Sequence, residues 1–71
     1  MNEEVCVLFG EKLRDVRLEL GYSQEELSFK TGLHRTYISS VERGERNISI
    51  VNIQKLADAL DLKMKDLMPE L

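Results

Sequence analysis

The sequence predicts an all-α fold of five helices joined by short turns. Apolar residues recur every three or four positions, as they do along one face of a helix, at Phe9, Leu13, Val16 and Leu20. Nowhere do apolar and polar residues alternate in the way that is typical of a half-buried strand. Only four glycines and one proline interrupt the 71 residues. The chain therefore favours a single helical domain over residues 1–71 rather than an α/β or all-β fold.

The first two helices have clear ends. The first is predicted from about Glu3 to Leu20, where the apolar stripe runs. The second covers about Gln24 to Thr31, after Ser23, a good N-cap residue. Glu26 lies three residues beyond Ser23, and the two residues form the pattern of a capping box. Gly32 then supplies the left-handed residue that commonly ends a helix.

The remaining helices follow at short intervals. The third is predicted from about Arg35 to Arg43, followed by a polar loop from Gly44 to Ser49. Ser49 is the expected N-cap of a fourth helix over about Ile50 to Leu60, and its inward residues should be Ile50, Ile53, Leu56, Ala57 and Leu60. A short fifth helix over about Met64 to Met68 should end before Pro69, because the residue before a proline disfavours the helical conformation.

Residues 23–44 therefore form two short helices around a glycine turn, the pattern of a helix-turn-helix motif. At about 100° per residue, Ile38, Val41 and Glu42 of the third helix face the core. The opposite side presents hydroxyl and guanidinium groups and no carboxylate, at Thr36, Ser40 and Arg43, with Tyr37 and Ser39 beside them and Arg35 at the N-terminal end. A solvated face is the plainer explanation, but such a face usually mixes both charge signs. Arginine pairs with guanine and threonine meets base edges, so the strip predicts a helix that reads the major groove.

Three further residues are candidates for contacts to the DNA backbone. Gln24 lies at the start of the second helix, where its amide and the free backbone N–H groups suit a phosphate, although an ordinary exposed glutamine is the alternative. Arg46 and Asn47 follow the third helix, although exposed loop residues of these types are also common.

Glu42 needs a cationic partner because it points inward, and Arg17 on the first helix is the best candidate for a structural salt bridge.

Charge and composition exclude several other functions. The net charge is −3, yet residues 30–46 hold four basic and two acidic groups, so positive charge is concentrated on the proposed DNA-binding segment. One cysteine and one histidine cannot build a metal cluster, and no glycine-rich phosphate loop is present. We therefore expect neither catalysis nor a metal, cofactor or small-molecule ligand. The longest uncharged apolar run, Val5 to Gly10, is too short to span a membrane, and the single cysteine fits the cytoplasm.

From Phe9 to Leu67 the chain resembles the Xre/phage-repressor family of helix-turn-helix regulators. The resemblance is carried by GEKLRDVR (10–17), SQEEL (23–27), TGL (31–33), YISSVERG (37–44) and IQKLADAL (53–60). It implies a five-helix, lambda-repressor-like domain that binds double-stranded operator DNA as a twofold dimer. It also implies that Gln24 grips a phosphate, that Arg17 and Glu42 form a buried pair, and that bases are read from Arg35, Thr36, Ser39 and Ser40. Ser28, where alanine is usual, and His34, at an N-cap where serine or aspartate is commoner, depart from the family pattern.

A narrower resemblance concerns HRTYISSVERGERN (34–47), which is similar to the controller proteins of restriction–modification systems. That group implies DNA contacts from Arg35, Thr36, Tyr37 and Arg46 and a regulator that controls its own operon. The alternative is a phage-type repressor, or an antitoxin-like protein that acts through a protein partner. An antitoxin would normally need an additional segment to cover its toxin.

The last expectation concerns the dimer. The predicted fourth helix carries Val51 beside its inward-facing apolar residues. Its apolar surface is therefore wider than the core of a single subunit requires. The segment after it adds further apolar residues. We expect an isologous interface built from Val51, Asn52, Lys55, Leu62, Met64 and Leu67. The alternative is that these apolar residues all pack inside one subunit.

Overall fold

The computed structural model describes residues 3–71, which form four α-helices and one turn of 3₁₀ helix. The elements are α1 (Glu3–Glu19), α2 (Gln24–Thr31), α3 (Arg35–Glu42), α4 (Ile50–Ala59) and the 3₁₀ turn (Met64–Leu67). The all-α class is confirmed, but the count of five α-helices was wrong. Lys63 and Met68 are both extended, and the four residues between them leave room for a single tight turn.

The helix ends are fixed by side chains that satisfy free backbone groups. Ser23 Oγ accepts from the Glu26 N–H at 3.0 Å, and Glu26 Oε1 accepts from the Ser23 N–H at 2.9 Å, which confirms the capping box. Hydrogen bonding to the carboxyl from the Ser23 backbone N–H, and secondly from the Ser23 side chain, lowers the pKa of the exposed Glu26 carboxyl below its ordinary value. Gly32 ends α2 at φ 75°, a left-handed conformation that glycine adopts without strain.

One apolar core joins all five elements. Its buried members are Phe9, Leu13, Leu27, Ile38, Val41, Ile53, Leu56, Ala57, Leu60 and Leu67. Helix α3 lies against α1 and α2, and α4 packs on α2 and on the 3₁₀ turn. Two residues expected to face inward are instead exposed, Leu20 by 47% and Ile50 by 69%. Leu20 follows the last residue of α1 and Ile50 is the first residue of α4, so both lie where a helix leaves its neighbours.

Helices α1 and α3 approach each other closely at Gly10. A Cβ atom placed on Gly10 would lie 2.7 Å from the carbonyl oxygen of Glu42, and still closer to that of Val41. Both are backbone atoms, which cannot move aside as a side chain would. Gly44 allows a second close contact, because a Cβ there would lie 2.8 Å from the Val7 Cα. The C-terminal end of α3 is thus held against α1 with no side chain between the backbones.

Candidate nucleic-acid interface

The N-terminal end of α3 presents two of the predicted base-reading residues to solvent. His34 caps the helix, and its Nδ1 accepts from the Thr36 N–H at 3.1 Å. Arg35 and Thr36, in the first turn, are both exposed. The Arg35 side chain is 64% exposed, and the carboxylate of Glu25 lies 4.0 Å from its Nη1. Such a distant contact between exposed groups contributes little, so Glu25 does not hold Arg35 in place.

The inward face of α3 agrees with the sequence prediction, but the outward face differs at Ser40. Ile38, Val41 and Glu42 are buried as expected, whereas Ser40, expected on the exposed strip, is only 5% exposed. The chain after α3 folds back over this side of the helix: the Glu45 N–H donates to the Ser40 carbonyl at 3.0 Å and Arg46 Nε donates to Ser40 Oγ at 3.1 Å. A buried Ser40 cannot read a base directly.

The sequence predicted no carboxylate on the exposed face of α3, but the structure places the carboxylate of Glu45 against Arg43. Arg43 Nε and Nη2 donate to the two carboxylate oxygens of Glu45 at 3.0 and 3.1 Å. Arg43 Nη1 donates to Ser39 Oγ, and Ser39 is half-buried. The hydrogen bonds between Arg43 and Glu45 raise the pKa of Arg43 and lower that of Glu45. A phosphate would therefore have to displace Glu45 from Arg43.

Arg46 and Asn47 are exposed in the loop that follows α3. The Arg46 guanidinium lies over the ring of Tyr37, 5.7 Å from its centroid, a cation–π arrangement. Tyr37 is half-buried and packs against the core, and its hydroxyl accepts from Asn52 Nδ2 at 3.0 Å. Tyr37 therefore connects α3, α4 and the loop.

The predicted Arg17–Glu42 ion pair is present. Arg17 Nε and Nη2 donate to the two oxygens of Glu42 at 2.6 and 2.9 Å, and the two side chains are 7% and 3% exposed. The hydrogen bond to Glu42 raises the pKa of Arg17, against the opposing effect of burial. Arg17 Nη1 also donates to the Tyr22 carbonyl at 2.7 Å.

Gln24 belongs to the same hydrogen-bonded group, a contact that the sequence did not reveal. Its Nε2 donates to Glu42 Oε1 at 3.0 Å, and its side chain is half-buried. An open groove at the junction of α1 and α2 is lined by both Gln24 and Arg35. The predicted phosphate contact and a predicted base contact thus share one concave surface.

The residues expected at a dimer interface fall into three groups. Val51 is 61% exposed and Lys55 is exposed, so both are available to a partner. Asn52, Leu62 and Met64 are half-buried. Leu67 is fully buried within the subunit, because the 3₁₀ turn folds it onto α1 and α4. Leu67 therefore cannot contact a partner directly, and Ile50, exposed beside Val51, extends the apolar surface instead.

The helix-turn-helix family HTH_3 matches residues 13–67, which span the second half of α1 through the 3₁₀ turn. The chain belongs to this family. Members of this helix-turn-helix family are DNA-binding regulators, and the sequence places this one in the Xre type. Within residues 3–71 there is no grouping of three His, Cys, Asp or Glu side chains that could hold a metal ion, and no helix there is long and apolar enough to cross a membrane.

Similar proteins include several control proteins. The chain is 49% identical over 69 residues to control protein C.BamHI of Bacillus amyloliquefaciens, covering 96% of this chain and 85% of that protein. It is 38% identical over 72 residues to control protein C.MunI of a Mycoplasma species, covering 100% and 96%. The crystal structure of the restriction–modification controller protein C.AhdI of Aeromonas hydrophila superposes with a TM-score of 0.86 at 52% identity, covering 89% of this chain and 96% of that one.

Proposed function

We propose that the protein binds operator DNA as a homodimer and acts as the autoregulating controller of a restriction–modification operon. The observation that carries this proposal is the free N-terminal turn of α3. Arg35 and Thr36 project there from a capped helix whose other side is fixed in the core. Similarity to control proteins over nearly the whole chain supports the assignment of the operon. We further expect a cytoplasmic location, where operator DNA is accessible.

A dimer supplies what one subunit lacks. A single recognition helix reads only a few base pairs, whereas two helices read half-sites about 34 Å apart. The exposed apolar side chains of Ile50 and Val51 at the start of α4 are the best candidates for the centre of the interface. Lys55 would lie at its edge, and half-buried Leu62 and Met64 would support it from below. Helix α4 packs on α2 and the 3₁₀ turn, so this interface leaves the exposed residues of α3 free for DNA.

We expect the DNA contacts to divide into two classes. Arg35 and Thr36 read bases. Gln24, Arg43, Arg46 and Asn47 hold phosphates, with Tyr37 and Ser39 at the margin of the groove. A good base contact discriminates by about 1–3 kcal/mol, whereas phosphate contacts are blind to sequence.

The division is tested by comparing two arginine variants on two kinds of DNA. Selection from a pool of random duplexes would first give an operator that the wild-type protein prefers. Arg35→Ala should then reduce the ratio of operator to random-duplex affinity by about tenfold. Arg46→Ala should weaken both complexes alike and reduce the salt dependence. Equal losses on both duplexes for both variants would show that Arg35 does not read a base, and failure to select any sequence would refute operator binding.

The controller role has its own test. A reporter placed behind the selected operator should respond to expression of the protein, and the operator should lie upstream of the protein's own gene. Neighbouring methyltransferase and endonuclease genes would support the restriction–modification assignment. An operator found only beside unrelated genes would refute that assignment and leave the DNA-binding role intact.

A further inference from the structure

Arg46 differs from Arg43 in which of its nitrogens are already bonded. Arg43 has bonds from Nε and from both terminal nitrogens, to Glu45 and Ser39. Arg46 is held by its Nε, which donates to Ser40, and by the face of its guanidinium, which lies over Tyr37. The Glu45 carboxylate also attracts it electrostatically. Within residues 3–71, neither terminal nitrogen of Arg46 has a hydrogen-bond partner. Arg46 is therefore fixed along its length and open at its end.

Both of the groups that hold Arg46 are themselves held. Ser40 Oγ donates to the Tyr37 carbonyl at 2.7 Å, which leaves its lone pairs to accept from Arg46. The Tyr37 hydroxyl accepts from Asn52 Nδ2 at 3.0 Å. A chain of contacts thus runs from Asn52 on α4, through the Tyr37 ring, to Arg46 in the loop after α3.

We propose that Asn52 is a positioning residue for DNA binding, which acts through Tyr37 to hold the free end of Arg46 ready for a backbone phosphate. This inference rests on the proposed function and gives Asn52 a role other than contact with a second subunit. A long arginine side chain loses conformational freedom when a ligand fixes it. Contacts already formed in the free protein reduce that loss on binding. The same chain joins α4, where the dimer interface is expected, to the phosphate contact.

A double-mutant cycle tests whether Asn52 acts through Arg46. The probe is a short mixed-sequence DNA duplex, because phosphate contacts do not require an operator. Asn52→Ala should weaken binding about fivefold, the effect of losing one hydrogen bond. In an Arg46→Ala background, the same substitution should have no further effect. Losses that simply add would show that Asn52 acts independently of Arg46 and would overturn the inference.

Three measurements separate positioning from a structural or dimer role. The Arg46 Nε–H signal in ¹⁵N-resolved NMR should shift or broaden in Asn52→Ala without DNA present; an unchanged signal overturns the inference. Sedimentation should show the same oligomer as wild type, and dissociation would assign Asn52 to the interface instead. Melting temperature should change little. If Asn52→Ala does not fold, Asn52→Ser, also too short to reach Tyr37, replaces it.

Gln54→Ala is the matched control. Gln54 lies two residues along α4 and is exposed, and its side chain donates to Asp58 on the same helix. Its loss should therefore not alter DNA affinity. If the losses from Asn52→Ala and Arg46→Ala add while the wild-type protein binds the duplex normally, only the positioning role is refuted. A wild-type protein that binds no duplex in a salt-dependent manner refutes the proposed function itself, whatever the NMR signal of Arg46 shows.

Discussion

Replacing Glu42 with alanine should strongly destabilise the protein, because it leaves a buried guanidinium without its partner. Arg17 gives two of its hydrogen bonds to Glu42 and keeps only the one to the Tyr22 carbonyl. With the side chains 7% and 3% exposed, water has poor access to the guanidinium that loses its carboxylate. Gln24 loses its acceptor in the same step.

The size of the effect follows from this burial. Breaking a buried ion pair by removing one partner costs about 3–5 kcal/mol. The whole domain should be stable by about 4–11 kcal/mol, at about 0.05–0.15 kcal/mol per residue. A loss of about 3 kcal/mol should lower the Tm by about 12 °C or more, since each kcal/mol shifts it by about 4 °C or more at this size.

Thermal and urea unfolding, followed by circular dichroism at 222 nm, measure the loss. Glu45→Ala is the matched control, because it removes the same side chain from the Arg43–Glu45 pair, whose members are 53% and 57% exposed. Exposed pairs of this kind contribute little, so that variant should melt close to wild type. Glu42→Gln, similar in size but uncharged, should fall between the two. Equal melting temperatures for Glu42→Ala and Glu45→Ala would refute the reasoning.

Three other outcomes follow from the structure. Val51→Asp should give a folded monomer with little affinity for operator DNA, because a charge would enter the apolar interface; an unchanged dimer in sedimentation would place the interface elsewhere. Gly10→Ala should destabilise by about 1–3 kcal/mol in urea unfolding, despite alanine's better helix propensity, because the added carbon meets backbone oxygens of α3; a gain in stability would show that the two helices can separate freely. The capping box should weaken in acid, because folding lowers the pKa of Glu26. The stabilisation of the folded state by the Glu26 carboxylate is complete above the ordinary pKa of 4.5. It is lost as the pH falls through the lower pKa of the folded state. Comparison of wild type with Glu26→Gln in unfolding experiments across that range checks the sign, and a difference that grows as the pH falls would contradict it.

The sequence was sufficient to predict the capping box, which depends on two residues close in the chain, and the ion pair, which depends on one charged residue that faces the core. Ser23 and Glu26 interact three residues apart, and an inward Glu42 demands a cation wherever the chain places one. The burial of Ser40 could not be predicted, because a helical wheel describes one helix and not the loop that folds back over it. The Arg43–Glu45 contact crosses the end of α3, where helical spacing no longer applies. The bond between Tyr37 and Asn52 depends on how two helices approach in space, and no pattern along the chain encodes it.

The close contact at Gly10 couples the first helix to α3, the helix that we propose reads DNA. Because the backbones of α1 and α3 touch there, the recognition helix cannot tilt or slide without carrying α1 with it. Helix α3 has eight residues and is therefore about 12 Å long, so a small displacement at its C-terminal end is transmitted along a rigid rod to Arg35 at the other. In the proposed twofold dimer the same displacement would occur in both subunits and would change the distance between the two copies of Arg35. Under the proposed function, substitutions at the α1–α3 contact should thus alter which half-site spacing the dimer prefers, although they lie far from any base.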